Sequence, residues 1–173
     1  MGVWVPISAC PRITEAADVL LRAGAPRTST RSAITLGDMR IAFGTDESTD
    51  LTRHLVEWLA GRGHELDIVG DGIAWPDVGA GVGRAIADGR ADFGVVCCWT
   101  GTGVSIAANK VPGVRAALCT DRETSAGARR WNNANVLAMG LRLTSSAVAE
   151  EMLEAFLTTA PEDSEATNYR RLG

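Results

Sequence analysis

The chain is poor in the residue patterns that mark several protein classes. It has only two histidines, His54 and His64, and no apolar run near the ~20 residues of a membrane-spanning helix. Its net charge is −4, and no basic cluster interleaves with aromatic residues. Its four cysteines show no metal-ligand spacing: Cys10, Cys97, Cys98 and Cys119. We therefore expect no membrane span, no nucleic-acid partner and no metal site.

The length and composition of the chain are typical of a single globular domain. The 173 residues are 46% hydrophobic and 22% charged, enough for one domain with a buried core. No secretory signal is recognisable, so reduced thiols in a cytoplasm are expected. The adjacent pair Cys97-Cys98 lacks the two-residue spacer of redox motifs, which argues against a thiol-disulfide enzyme.

Residues 1–38 differ from the rest of the chain. They contain Pro6, Pro11 and Pro26, a polar run over 27–32 and one short helical pattern, Ile13 to Leu21. We expect residues 1–38 to be a poorly ordered or non-catalytic extension and residues 39–173 to be the functional domain. The alternative is an arm that packs on a partner subunit.

From Met39 onward, short apolar runs alternate with helical periodicity. The predicted strands are Arg40–Gly44, Glu65–Val69, Asp92–Cys98, Arg115–Cys119 and Val136–Gly140. The predicted helices cover Leu51 to Leu59, Val78 to Ile86, Ser105 to Asn109, Arg122 to Trp131 and Ser145 to Leu157. This alternation predicts a three-layer α/β/α sandwich with a five-stranded parallel, Rossmann-like sheet. Ligands of such sheets bind beyond the carboxyl ends of the strands, where Asp46, Cys98, Asp121 and Arg142 are expected.

The segment 97–115 is the most informative part of the chain. A predicted strand ends on Cys98, a glycine-containing turn follows at 100–103, and a helix begins. Glycines allow close backbone approach, and unpaired amides at a helix start favour negative charge, so the segment suits an anionic ligand. Neighbouring strand residues point to opposite faces, so only one of Cys97 and Cys98 can face this turn. The competing interpretation of Cys98 is a small buried apolar residue.

The same segment resembles the signature of the type B ribose-5-phosphate isomerases and their galactose-6-phosphate isomerase relatives. The matching residues are Cys98, Thr100-Gly101-Thr102-Gly103-Val104-Ser105-Ile106-Ala107-Ala108-Asn109-Lys110 and Gly113-Val114-Arg115-Ala116. Trp99 departs from the pattern, since the family has a glycine there. The resemblance extends over roughly 39–172 and includes the later run 132–140.

The resemblance implies an aldose–ketose isomerase that works through an enediolate, with ribose 5-phosphate as the reference substrate. Cys98 stands at the position of the family's base, and Thr100 can move protons between the two sugar oxygens. No metal or other cofactor is implied. The family's active sites lie between subunits, so a homodimer or tetramer is expected.

The resemblance also implies a set of substrate-binding residues. Asp46 would orient sugar hydroxyls, Asn132 would donate near the developing oxyanion, and Gly101 and Gly103 would offer backbone contacts. Arg142 and Arg171 would bind the phosphate, with Arg171 coming from a neighbouring subunit. The alternatives are helix capping for Asp46, a structural turn for Asn132 and ordinary surface positions for the two arginines.

Departures from the family pattern leave the substrate open. Trp131 replaces the histidine that opens the furanose ring, and Glu47 replaces the histidine after the first-strand aspartate. Three interpretations follow: a sugar phosphate that is largely open-chain, such as a tetrose 4-phosphate; a sugar without phosphate; or a binding module without catalysis. In the second, Glu47 would accept hydroxyl hydrogen bonds, and Trp99 and Trp131 would pack on the sugar.

A Rossmann nucleotide-binding domain is disfavoured, because the glycine turn follows the third strand rather than the first.

Overall fold

The structure is a computed structural model and describes residues 39–172. The predictions for residues 1–38, including the helix at Ile13 to Leu21, lie outside the described residues. The strands are β1 Arg40–Thr45, β2 Glu65–Asp71, β3 Phe93–Cys98, β4 Ala116–Leu118 and β5 Val136–Gly140. The helices are α1 Asp50–Gly61, α2 Trp75–Ala87, α3 Thr102–Ala108, α4 Arg122–Asn132 and α5 Ser146–Thr158. A C-terminal segment adds Asp163–Glu165 (3₁₀), α6 Ala166–Tyr169 and Arg170–Leu172 (3₁₀).

The strands form one fully parallel sheet in the order β2-β1-β3-β5-β4, and helices cover both faces. Alternate strand residues supply two separate cores. Phe43 and Cys97 belong to the core under α1 and α5, whereas Ala42 and Cys98 belong to the core under α2 and α3. The predicted three-layer fold is therefore confirmed. No helix within residues 39–172 is long and apolar enough to cross a lipid bilayer.

The chain adds successive strands on opposite sides of β1, so the direction of its path across the sheet changes between β1 and β3. The chain moves from β1 outward to β2, then returns to β3 on the other side of β1. The loops that follow β1 and β3 therefore separate and leave a crevice at this edge, the usual ligand position of such sheets. The amide of Asp46 donates to the carbonyl of Cys97 across a distance of 3.3 Å, which ties the two loops together at the base of the crevice.

Helix α3 begins at Thr102, three residues before the predicted start at Ser105. Its N-cap is Gly101, which has a φ of 75° and needs no side chain to turn the strand into the helix. The glycine turn expected before the helix therefore forms the first turn of the helix itself. The amides of Thr102 and Gly103 come at the start of α3, where helix geometry provides no intrahelical acceptor.

Three asparagines of the family pattern, Asn109, Asn133 and Asn135, hold loops in place. Asn109 donates to the carbonyl of Ala116 (2.8 Å) and accepts from its amide (2.8 Å), which closes the connection from α3 to β4. Asn135 accepts from the amide of Arg115 at 2.7 Å. Asn133 has a φ of 46° and caps α4 in the left-handed region. Part of the family pattern thus encodes the loops that lead into β4 and β5.

His64 provides a prediction for the pH dependence of stability. Its ring is buried at the start of β2, and burial, together with the charge of Arg62, lowers its pKa from 6.5. A lowered folded-state pKa means that the unfolded chain binds a proton first, so stability is complete above pH ~6.5 and falls as the pH drops below it. We expect His64→Phe to flatten the decline in urea midpoint between pH 7 and pH 5. An unchanged slope in the variant would assign the decline to other groups.

Candidate active site

Cys98 lies where β3 ends and the glycine turn begins. Its side chain faces the α2 and α3 layer and is 5% exposed. The amide of Gly101 donates to its Sγ across 3.2 Å. A backbone N–H that points at the sulfur stabilises negative charge there, as a base or nucleophile requires. Gly101, with its left-handed φ, then turns the chain into α3.

Cys97 faces the opposite core and is fully buried. Burial raises the pKa of its thiol far above the ordinary value, with smaller contributions from Cys98 and Asp46. It is therefore an uncharged packing residue, and the prediction that the two neighbouring cysteines point to opposite faces is confirmed. Cys119, after β4, is also buried, and burial raises its pKa to about 11.

These environments predict an order of alkylation. Near neutral pH we expect iodoacetamide to modify Cys98 before Cys119, because Cys119 forms little thiolate at that pH. Cys97 should react only on unfolding. Peptide mass spectrometry over a time course measures the order. Labelling of Cys119 ahead of Cys98 would count against a reactive thiol at the end of β3.

The loop after β5 lies against the loop after β3. The amide of Leu141 donates to the carbonyl of Cys98 at 2.9 Å, and the amide of Arg142 donates to the carbonyl of Trp99 at 3.1 Å. The Arg142 guanidinium lies 6.0 Å from the centre of the Trp99 ring. Beside them, Thr100 Oγ1 lies 2.7 Å from Thr102 Oγ1, and both threonines are exposed. A guanidinium and two hydroxyls thus lie next to the cysteine turn.

A cavity of about 190 Å³ opens beside these loops. Its lining includes Trp99, Thr100, Leu118, Gly140, Arg142 and Leu143. Leu118 and Leu143 are not among the residues predicted to contact substrate, and both are more than a third exposed. Large apolar residues at a strand end, such as Leu118, or in the loop beyond one, such as Leu143, are the sequence signal that points to such a wall.

Asp46 and Glu47 follow β1 on the other side of the crevice. The Oδ1 atom of Asp46 is buried and has no hydrogen-bond partner among residues 39–172. Burial and the charge of Glu47 raise the pKa of Asp46. The loop is fixed by Thr45, whose Oγ1 donates to the carbonyl of Glu47 at 2.8 Å. In residues 39–172, no group of three histidine, cysteine or carboxylate side chains is placed to hold a metal ion.

Eight of the predicted residues share the carboxyl edge, which we define as the last residue of each strand, loops 46–49, 72–74, 99–101, 119–121 and 141–145, and the first turns of α2 and α3. They are Asp46, Glu47, Cys98, Trp99, Thr100, Gly101, Gly103 and Arg142. The indole of Trp75 covers Gly103, since a Cβ there would lie 3.0 Å from two of its ring carbons. The prediction that strand-end residues would meet at one edge is confirmed.

Trp131, Asn132 and Arg171 lie at the opposite edge of the sheet. Helices of a parallel sheet run against the strands, so α4 ends where β5 begins. The register pairs Val136 with Gly94 and Gly140 with Cys98, which separates the two edges by four strand steps, roughly 13 Å. Asn132 lines a cavity of about 390 Å³ with Asn109, Arg115 and Leu172, the neighbour of Arg171. One chain therefore does not bring the predicted residues together.

The two edges differ in charge. The carboxyl-edge loops contain the carboxylates of Asp46, Glu47 and Asp121 against the single guanidinium of Arg142. Loops 109–115 and 133–135, which lead into β4 and β5, contain Lys110 and Arg115 and no carboxylate. We call these loops, the end of α4 and residues 170–172 the basic edge. A dianion placed on the carboxyl edge of one chain would meet net repulsion.

The carboxyl edge also exposes large apolar side chains. Within residues 39–172 they are Ile73, Trp75, Trp99, Leu118 and Leu143, with exposed fractions from 39% to 88%. Leu118 ends β4, Trp75 begins α2, and the other three lie in the loops that follow β2, β3 and β5, so all five share one side of the molecule. A group of exposed apolar residues rimmed by charged ones is typical of an association surface or a ligand site.

Comparison with known proteins identifies the family and agrees with the fold. The ribose/galactose isomerase family matches residues 41–172. The chain belongs to this family. It is an aldose–ketose isomerase of the sugar-phosphate class, as the resemblance implied.

Members that act on sugars of different length are similar to this chain. It is 37% identical to a D-erythrulose-4-phosphate isomerase of Pectobacterium atrosepticum over 125 residues, which cover 69% of this chain and 82% of the relative. It is 36% identical to the ribose-5-phosphate isomerase B of Escherichia coli over 123 residues, 68% of this chain and 83% of the relative. The solved structure of the Clostridium thermocellum ribose-5-phosphate isomerase B superimposes with a TM-score of 0.73 at 35% identity, covering 78% of this chain and 95% of that one.

Proposed function

We propose that the family member isomerises a phosphorylated aldose to its ketose through an enediolate, with Cys98 as the base. The observation that carries this assignment is the Gly101 amide that donates to Sγ of Cys98 at the end of a strand beside a cavity. A thiolate held at such a position can remove a carbon-bound proton next to a carbonyl. Asp46 follows β1 across the crevice, and we assign its carboxylate the role of orienting a sugar hydroxyl.

The remaining steps use groups around the same turn. After proton removal, negative charge develops on the two oxygens of the enediolate. Amides at the start of α3, those of Thr102 and Gly103, are suited to stabilise it, and one such donor is worth about 3–4 kcal/mol in other enzymes. The Thr100 hydroxyl, 2.7 Å from that of Thr102, moves a proton between the two oxygens. Cys98 then returns a proton to the neighbouring carbon.

The active site is completed by a second copy of the chain. The carboxyl edge alone is acidic and carries exposed apolar groups, whereas the basic edge offers Lys110, Asn132 and Arg171. In a two-fold dimer each carboxyl edge would meet the basic edge of its partner. Arg142 of one chain and Arg171 of the other would then bind the phosphate, and Asn132 of the other would donate to the enediolate. A tetramer would repeat the same contact.

Subunit complementation tests this assembly. Cys98→Ser and Asn132→Ala are expected to be nearly inactive alone. When they are mixed at equal concentration and allowed to exchange subunits, half of the dimers are mixed, and one site in each is intact, so about a quarter of wild-type activity should return.

The matched control pairs Cys98→Ser with Arg142→Ala, which lies on the same edge of the same chain. That mixture creates no intact site and should stay inactive. Recovery in both mixtures, or in neither, would refute a site shared between copies. The isomerase assignment itself is tested separately by wild-type turnover.

A sugar without phosphate is the second candidate, because the acidity of the carboxyl edge favours hydroxyl groups over a dianion within one chain. The two candidates differ in their use of Arg142. A phosphorylated substrate predicts that Arg142→Ala raises KM strongly for the sugar phosphate and changes little for the free sugar. Equal effects on both would favour the second candidate.

A further inference from the structure

Trp99 is a large side chain that belongs to neither core of the protein. Its indole is 52% exposed, and it is absent from both clusters of buried residues on the faces of the sheet. Core packing therefore does not account for a tryptophan at this position. The family pattern has a glycine there, so the indole is an addition to the shared signature. Because Trp99 lines the cavity beside the cysteine turn, its role is expected in that cavity.

The backbone holds Arg142 directly beside Trp99. Strands β3 and β5 pair as far as Cys98 and Gly140. Beyond the strand ends, the Arg142 amide donates to the Trp99 carbonyl at 3.1 Å, so the two residues lie side by side. The Arg142 guanidinium lies 6.0 Å from the centre of the Trp99 ring, a separation at which the ring face still attracts a cation. Since both residues line the same cavity of about 190 Å³, this contact lies at the candidate site itself.

The N–H donors of Arg142 are left open for a ligand. Within residues 39–172 its guanidinium forms no ion pair or hydrogen bond, although Asp46, Glu47 and Asp121 share its edge of the sheet. A ring face orients a cation without occupying its N–H donors. A carboxylate in the same place would occupy those donors and would repel a phosphate dianion. The indole therefore suits an arginine that must stay available to an anionic ligand.

We infer that Trp99 is a positioning residue that holds the Arg142 guanidinium ready for the phosphate group of the substrate, an inference that rests on the proposed isomerase function. An arginine side chain has many rotamers, and ordering it on binding reduces affinity. The indole restricts those rotamers before the substrate arrives, so less binding free energy is lost to ordering. Removal of the ring face should therefore weaken binding of the phosphate and leave proton removal by Cys98 unchanged.

Two substitutions of Trp99 separate the ring face from the bulk of the side chain. Trp99→Leu keeps an apolar side chain without a ring, whereas Trp99→Phe keeps a ring face. Kinetics use the aldose phosphate that the wild-type protein turns over fastest. We expect Trp99→Leu to raise KM about two- to fivefold, the range of a cation–π contact at an exposed site, with kcat within about twofold of wild type. Trp99→Phe should recover most of the loss, and a KM equal to that of Trp99→Leu would overturn the inference.

A double-mutant cycle with Arg142→Ala tests whether Trp99 acts through the guanidinium. If it does, Trp99→Leu raises KM in the wild-type background and raises it no further in the Arg142→Ala background. The same factor in both backgrounds would overturn the inference, because Trp99 would then contact the sugar or the partner subunit independently of Arg142.

Binding of inorganic phosphate separates failure of this inference from failure of the proposed function. The dissociation constant of phosphate, measured by phosphorus NMR titration of the same folded proteins, should rise in Trp99→Leu by the same factor as KM. Normal turnover with unchanged phosphate affinity in Trp99→Leu would overturn the positioning role alone. No turnover of any aldose phosphate by folded wild-type protein would refute the proposed function, and the phosphate titration would still decide whether Trp99 positions Arg142.

Discussion

Cys98→Ser is expected to lower kcat by roughly 10²–10⁴-fold, the range that a positioned general base contributes. A serine hydroxyl is far less acidic than a thiol, so it is a much poorer source of the anionic base that removes a carbon-bound proton. The substitution keeps the size and position of the side chain, and the Gly101 amide can still donate to its oxygen. Steady-state kinetics with the aldose phosphate that the wild-type protein turns over fastest measure the chemical effect. Circular dichroism and melting curves of the same variant show whether its folding has changed.

The control is Cys97→Ala, one residue earlier on the same strand. Cys97 faces the core under α1 and α5, so its loss should reduce stability and leave kcat within a few-fold of wild type. Equal losses of kcat in the two variants would mean that the strand end, rather than the Cys98 sulfur, matters for turnover.

Gly101→Ala is expected to cause the largest loss of stability of any change in the cysteine turn. Its φ of 75° costs a residue with a side chain roughly 1–2 kcal/mol. The new Cβ would also lie 2.8 Å from the carbonyl carbon of Met139 and 2.9 Å from the amide nitrogen of Gly140, both backbone atoms. Forcing atoms into packed structure costs a further ~1–3 kcal/mol. The backbone displacement that relieves these contacts would also move the Gly101 amide that points at Cys98, so activity should fall as well.

Gly113→Ala is the matched comparison for this variant. Gly113 has a φ of 80°, but no atom lies within 4 Å of the position of its Cβ. It should lose only the conformational part of the unfolding free energy, roughly 1–2 kcal/mol. Urea unfolding of both variants gives the difference. Equal losses of unfolding free energy would show that the contacts around Gly101 are not tight.

The sequence was sufficient to predict the sheet and the edge that holds the cysteine. Alternating strand and helix periodicity predicts a parallel sheet, and the period of two predicts opposite faces for Cys97 and Cys98. The strand ends then place Asp46 and Arg142 at the same edge as Cys98. These predictions depend on local periodicity and on the rule that the carboxyl ends of parallel strands lie at one edge of the sheet. They do not require knowledge of how the side chains pack.

The start of α3 and the division of the site between two edges were harder to predict. Helix α3 begins three residues before its predicted start because Gly101 adopts a left-handed φ. Many loop glycines do not adopt this conformation. Asn132 lies far from Cys98 because α4 runs antiparallel to the strands and ends near the start of β5. The predicted bounds of α4 and β5 already implied this separation. Which asparagines hold loops and which are open to a ligand depends on hydrogen bonds such as Asn109 to Ala116.

The most direct test of the central assignment is deuterium exchange at the C2 position of the substrate, followed by proton NMR in deuterated buffer. If Cys98 removes that proton, the wild-type protein will wash out the C2 signal of the aldose phosphate that it turns over fastest, and folded Cys98→Ser will not exceed the protein-free blank. Exchange by Cys98→Ser at the wild-type rate would contradict the assignment.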